Sequence, residues 1–281
     1  MKTSLDCIPC FFSQVLRAAR MATDDERLVY QLLIETGAML KDISLDSTPP
    51  EIGHLIYGKV REVTGNSDPF HEIKQKSTQE ALAQYDILVD TVGRAEDRLM
   101  AGIRVAIAGN VIDFGAGRSV DMAREIRECM GRKFALCDYD VFRDRLEASR
   151  AVLYVGDNAG ETVFDRVLIE QLGKPVVFAV REAPVINDAT YEDAVAAGLD
   201  EVATVVSSGT TAPGAILSTC SEEFRDLFAG ADMIIAKGQG NYEALSGSSA
   251  PVCFLLKAKC DCLARHLGVP VGSYVLKAIG K

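Results

Sequence analysis

From Ile103 onward, short β-branched runs alternate with segments of helical periodicity, and no other feature of the chain constrains its fold as strongly. The runs lie at residues 104–108, 133–137, 151–155, 175–179, 201–206, 232–236 and 252–256, with a further short one near Tyr274. Helical patterns lie between them at about 118–131, 160–172, 189–198, 221–228 and 260–267. Parallel neighbours need a crossover connection, usually a helix. The expected fold class is therefore α/β, a doubly wound, mostly parallel (mixed) sheet with helices on both faces. Ligands of such sheets bind beyond the carboxyl ends of the strands, where loops lead into helices.

The first hundred residues carry no strand-like run. Cys10 to Met21 has apolar residues at helical spacing, and Asp24-Asp25-Glu26 supplies an acidic first turn for a helix to about Lys41. Pro49-Pro50 opens a third helix to about Val63, and a long helical stretch follows from about Phe70 to Ala101. The predicted organisation is a helical N-terminal domain over residues 1–101 and an α/β Rossmann-like metal- and phosphate-binding domain over 102–281.

The 281 residues carry a formal charge of −10 and no block of lysine and arginine, which argues against a nucleic-acid partner. No apolar run is long enough to span a bilayer, and the start has no apolar secretory core, so a membrane partner is not expected. The eight cysteines then belong in a reducing compartment, and the expected location is cytoplasmic. An acidic chain that handles an anion must supply local positive charge, from a metal ion or placed lysines. Nothing in the sequence reads on oligomeric state.

Several predicted strands end in unusual polar loops. Gly156-Asp157-Asn158-Ala159-Gly160-Glu161 joins a strand to a helix. Its carboxylate and amide oxygens suit a hard cation, and the helix start suits an anion. Asp and Asn are also ordinary helix caps. Asn187-Asp188 repeats the pattern after the next strand, so that two strands present acid at one sheet edge. Lys237-Gly238-Gln239-Gly240-Asn241 brings a cation and exposed backbone amides, suited to phosphate, although a glycine turn with a solvated lysine reads the same way. Lys257 and Lys259 follow the last strong strand and either hold the substrate anion or are surface lysines; Asn110 follows the first strand and either lines the same cleft or only closes a turn. Carboxylates for a cation, with lysines and glycines for a phosphate, form the inventory of metal-assisted phosphoryl transfer to water.

Gly156 to Glu161, Pro184 to Thr190 and Lys237 to Glu243 together resemble the signatures of the damage-control phosphatase family, once catalogued as a domain of unknown function. The resemblance runs along essentially the whole chain, and the Cys7-Ile8-Pro9-Cys10 start resembles its prokaryotic, cysteine-containing branch. It implies a mixed-sheet α/β fold with a helical N-terminal domain. It also implies a divalent metal (manganese, cobalt, nickel or magnesium) on Asp157, Asn158 and Asp188, and a phosphate loop over residues 237–241. The region of Lys257 and Lys259 departs from the Arg-Thr-x-Lys pattern of the eukaryotic branches, so their substrate class does not carry over.

The resulting expectation is a metal-dependent phosphatase acting on a small phosphorylated metabolite, with Asp157, Asn158, Asp188 and Lys237 at the reacting centre. Either a metal-bound water or the Asp157 carboxylate attacks phosphorus. Glu161 is a base or a favourable charge in a helix first turn. Sugar phosphates, phosphopantetheine derivatives and nucleotides all fit such a site. A non-catalytic phosphometabolite sensor and a carboxyl methyltransferase are the rivals; the latter lacks its usual glycine fingerprint. Cys7 and Cys10 have ligand spacing and Cys260 adjoins the lysines, so these three are candidates for a second site, against buried thiols.

Overall fold

The computed structural model describes residues 1–109 and 128–281. Helix α1 (Cys7–Ala22) buries Cys7, Phe11, Val15, Ala18 and Ala19, about one residue per turn on one stripe. That stripe packs against α2 (Glu26–Leu40) and α3 (Pro49–Thr64). The Asp25 side chain caps α2 by accepting the Arg27 N–H. Thr48 and Glu51 form a reciprocal capping box at the start of α3, where Pro49 needs no N–H partner.

The stretch expected as helical from residue 70 to 101 resolves into α4 (His71–Leu82), α5 (Tyr85–Gly93) and the start of α6 (Arg98–Gly109). Residues 104–108, expected as the first strand, are helical and belong to α6. The cause is burial. Ile103, Val105, Ala106, Ile107 and Ala108 are all buried, so α6 shows neither a polar face nor a helical period, and a short apolar run alone does not distinguish helix from strand. Close packing holds it there: a Cβ on Gly109 would lie 2.9 Å from Phe164 on the neighbouring helix. Helix α6 also spans the boundary drawn at residue 101. Asn110 and most of the helix expected over 118–131 lie outside the described residues, while 128–131 are helical.

The remaining strands form where expected. They are β1 (Phe134–Cys137), β2 (Val152–Val155), β3 (Val176–Val180), β4 (Thr204–Ser207), β5 (Ile234–Lys237), β6 (Val252–Lys257) and β7 (Tyr274–Ala278). They pair in the order β1-β7-β6-β5-β2-β3-β4, and every pair is parallel except β6 with β7. All four residues of β2 and all four of β5 are buried, as central parallel strands require.

Helices cover both faces. Val152 and Tyr154 join α6, α7 (Tyr139–Ala148) and α8 (Thr162–Leu172) in one core. Leu153 and Val155 join α10 (Glu222–Gly230), α11 (Gly238–Leu245) and α12 (Asp261–Leu267) in the other. The short helix α9 (Tyr191–Ala196) follows β3. Strand order reverses at β2 and β5, so the switch point lies between the loops that leave those two strands. The N-terminal helices sit over this point. Helix α3 packs on α11, and α4 packs on the 3-10 turn Ala159–Glu161. Lys74 on α4 reaches across to Asp193 at 3.0 Å, and Arg61 on α3 donates to the Pro184 carbonyl at 3.2 Å. No helix among the described residues is long and apolar enough to cross a membrane.

Candidate active site

Strand register sets the height of the site. Val155 pairs with Ala179 on one side and Ala236 on the other, so the residues two positions on (Asp157, Arg181 and Gly238) leave the sheet at one level. The loops after β2 and β3 are then joined by backbone bonds. Asn158 and Asp188 form an antiparallel bridge, the Ala159 N–H donates to the Asn187 carbonyl at 2.9 Å, and the Ala189 N–H donates to the Asp157 carbonyl at 2.8 Å. This bridge brings together the two acid motifs that the sequence presented separately. The turn between them is strained: Ile186 has φ 42°, the one positive value at a non-glycine position among the described residues. Such strain in a β-branched residue costs about 1–3 kcal/mol and collects at functional sites.

Asp157, Asn158, Glu161 and Asp188 line a cleft of about 640 Å³, roofed by α1, α3 and α4. Three of these four are carboxylates, and Asp157, Glu161 and Asp188 are all buried. Burial, then the Glu161 and Asp188 charges, push the Asp157 carboxyl well above the ordinary carboxylate range. Burial also raises Asp188, against the pull of the Arg181 guanidinium. The Asn158 amide stands between acids, with Nδ2 donating to Asp157 Oδ2 at 3.3 Å and to Glu161 Oε1 at 2.5 Å. Mutually repelling acids around one donor, with hard oxygen ligands only, fit a divalent cation. Among the described residues no three His, Cys, Asp or Glu side chains are grouped to hold a metal unaided, and Asn158 turns its amide nitrogen toward the acids.

The glycine loop contributes differently from its sequence reading. Gly238 has φ +77°, and a Cβ there would lie 1.9 Å from Asp157 Oδ2, so only glycine lets α11 start against the acid. Gln239 and Gly240 line the cleft, as do Lys257 and Lys259. Lys237 does not. Its side chain is fully buried beneath the floor, with Nζ 2.5 Å from Asp165 Oδ1 and 3.3 Å from Glu161 Oε2. Asn241 is also fully buried and spent on protein partners. Its Nδ2 donates to the Gly156 and Lys237 carbonyls, and its Oδ1 accepts from Ala215 N–H and Arg181 Nη2.

Arg181 and Asp165 were missed by the sequence reading. Arg181 is buried, donates through Nε to Asp188 Oδ2 at 2.8 Å, and leaves Nη1 without a partner among the described residues. A charged residue directly after the buried strand β3 was the available signal. Asp165 lies one helical turn after Glu161, so both acids face Lys237. The cysteine candidates divide. Cys10 and Cys260 line the cleft, whereas Cys7 sits beside Cys262 with the sulfurs 3.8 Å apart. All eight thiols are free.

Glu243, on the cleft wall, is also buried, and burial raises its carboxyl from 4.5 to about 7 despite a 2.7 Å bond from Gln239 Nε2. The folded chain therefore holds this proton more tightly than the unfolded chain. Its contribution to stability is full below pH 4.5 and is lost as pH rises through 7. Glu243→Gln is expected to remove that part of the slope, at most about 3 kcal/mol, when urea unfolding of both proteins is compared at pH 4.5 and 7.5. Equal slopes for the two proteins would show that Glu243 titrates normally.

The family model for the damage-control phosphatase ARMT1-like domain matches residues 3–275. The chain belongs to this family. A damage-control phosphatase of Pyrococcus horikoshii is 38% identical over 282 residues, covering 98% of this chain and 97% of the relative. One from Archaeoglobus fulgidus is 35% identical over 289 residues, covering 99% and 100%. The crystal structure of a DUF89 family protein from Pyrococcus horikoshii superposes with a TM-score of 0.92 at 36% identity, covering 99% of each chain. Membership in the damage-control phosphatase family bears out the resemblance carried by the three loop motifs, and it makes the chain a phosphatase.

Proposed function

We propose that the chain is a metal-dependent phosphatase that releases phosphate from a small phosphorylated metabolite in the cytoplasm, in a damage-control role. The observation that carries this reading is the bridge between Asn158 and Asp188, which brings Asp157, Asn158 and Asp188 onto one floor at the switch point. Asp157, Asn158 and Asp188 would hold the ion, whose manganese, cobalt, nickel or magnesium identity the oxygen-rich set leaves broad. When bound, the ion supplies positive charge to the phosphoryl oxygens and a more acidic water. Gly238 lets the start of α11 lie against Asp157 without displacing its carboxylate. Lys259 lies near enough to offset the Asp157 charge and lines the wall on which the phosphate oxygens would rest. Arg181 and the loop bridge hold Asp188 in place. Lys237 acts from below by pairing with Glu161 and Asp165.

The test is metal removal. Chelator-stripped protein is expected to release no phosphate from sugar phosphates, phosphopantetheine derivatives or nucleotides. Adding manganese, cobalt, nickel or magnesium is expected to restore release and to raise the thermal midpoint. Release that survives stripping overturns the metal dependence. A folded protein that releases phosphate with none of the metals overturns the whole reading and favours a sensor.

A further inference from the structure

The α1 wall of the cleft carries a cation that phosphate hydrolysis at the floor does not use. Cys10, Gln14 and Arg17 stand at positions i, i+4 and i+7 of α1 and all line the cleft, so one stripe of this helix faces it, while Val15 and Ala18 face the core and Phe11 lies at the edge between the two. The two ends of the Gln14 amide are spent: Oε1 accepts from the Tyr57 hydroxyl at 2.9 Å, and Nε2 donates to Cys10 Sγ at 3.1 Å. Arg17 is exposed to the cleft and makes no hydrogen bond or ion pair among the described residues.

Two other cations on the cleft are placed differently. Lys74 is buried and held at 3.0 Å by both Asp68 and Asp193. Lys259 lies by Asp157. Arg17 shares an environment with the acid floor, because the buried Tyr57 phenol is raised by burial and by the Asp188 charge and pulled down by Arg17. A guanidinium on the α1 wall of the cleft that no carboxylate among the described residues neutralises is a fork for a second planar or tetrahedral anion.

We propose that Arg17 selects substrates that carry a second anionic group, a carboxylate or a second phosphate, beyond the phosphoryl group held at the floor. This rests on the phosphatase reading of the same cleft. Arg17 is a specificity residue: it touches the part of the substrate that does not react, and the bidentate contact lowers KM for doubly charged phosphometabolites.

The test uses the metal-loaded enzyme and two matched pairs, glycerol 3-phosphate with 3-phosphoglycerate, and fructose 1-phosphate with fructose 1,6-bisphosphate. Turnover and calorimetric affinity are measured for wild type, Arg17→Ala and Arg17→Lys, after confirming equal thermal midpoints. The doubly charged member of at least one pair is expected to be preferred by about 10- to 100-fold, the worth of a charged hydrogen-bonding partner. Arg17→Ala is expected to erase that preference through KM, and Arg17→Lys to keep part of it. The pair that shows the effect tells carboxylate from phosphate. A preference absent from wild type in both pairs, or surviving Arg17→Ala, overturns the inference and leaves the phosphatase reading intact. A binding preference that depends on Arg17, with no turnover of any compound, supports the inference and removes the phosphatase reading.

Discussion

Replacing Asp157 with asparagine is expected to reduce phosphate release by about 10²- to 10⁴-fold, the range for a group acting at the reacting centre. The same change is expected to leave the thermal midpoint of the metal-free protein unchanged or higher. Asp157 is a buried carboxylate crowded by Glu161 and Asp188, and its ionised form is disfavoured. An amide removes that repulsion and keeps the shape, so folding gains what catalysis loses. This opposition separates the functional role from the structural one. A residue that merely caps a turn would lose stability on substitution and keep its rate. Kinetics on the manganese-loaded variant beside a thermal melt of the stripped one reads both. A destabilised variant with ordinary turnover would return Asp157 to the status of a cap.

Lys237→Met should behave in the opposite way. The ammonium is fully buried between Asp165 and Glu161, and Asp165 is itself fully buried with its pKa raised by burial to about 6 despite the lysine. Removing the cation leaves two acids in a dry place, which typically costs about 3–5 kcal/mol. For a chain of this size that is a fall in Tm of about 10 °C. Asp165→Asn in the same protein removes the stranded charge, keeps an acceptor for the Tyr154 hydroxyl at 2.8 Å, and is expected to recover more than half of the loss. A single variant that melts like wild type and shows only a raised KM would restore Lys237 as a phosphate ligand.

The contrast between these two residues shows what a sequence can carry. Asp157 was legible because an apolar strand running into Asp-Asn at a helix start is a local pattern with local chemistry. The partners of Lys237 lie 76 and 72 residues away, so nothing near it announced that its charge was already satisfied. Asn241 was misplaced for the same reason: its four hydrogen bonds reach Gly156, Arg181 and Ala215 as well as its own turn. The sheet was readable strand by strand, except where α6 is buried on too many sides to show a period. The joining of residues 157–158 to 187–189 was not readable at all, since it follows from the register of β2 on β3 and from an unfavourable backbone angle at Ile186.

The order of strands has a consequence for the chain as it is made. Residues 151–207 complete β2, β3 and β4 in direct succession and set both acid loops side by side, but β5 enters the sheet on the other flank of β2 and arrives last among these four. Until residues 234–245 emerge and dock, Glu161 and Asp165 lack their cation, and Asp157 lacks the glycine that borders it. A nascent or truncated polypeptide therefore holds a half-built, self-repelling acid cluster. The acid floor is complete only once the centre of the sheet has closed.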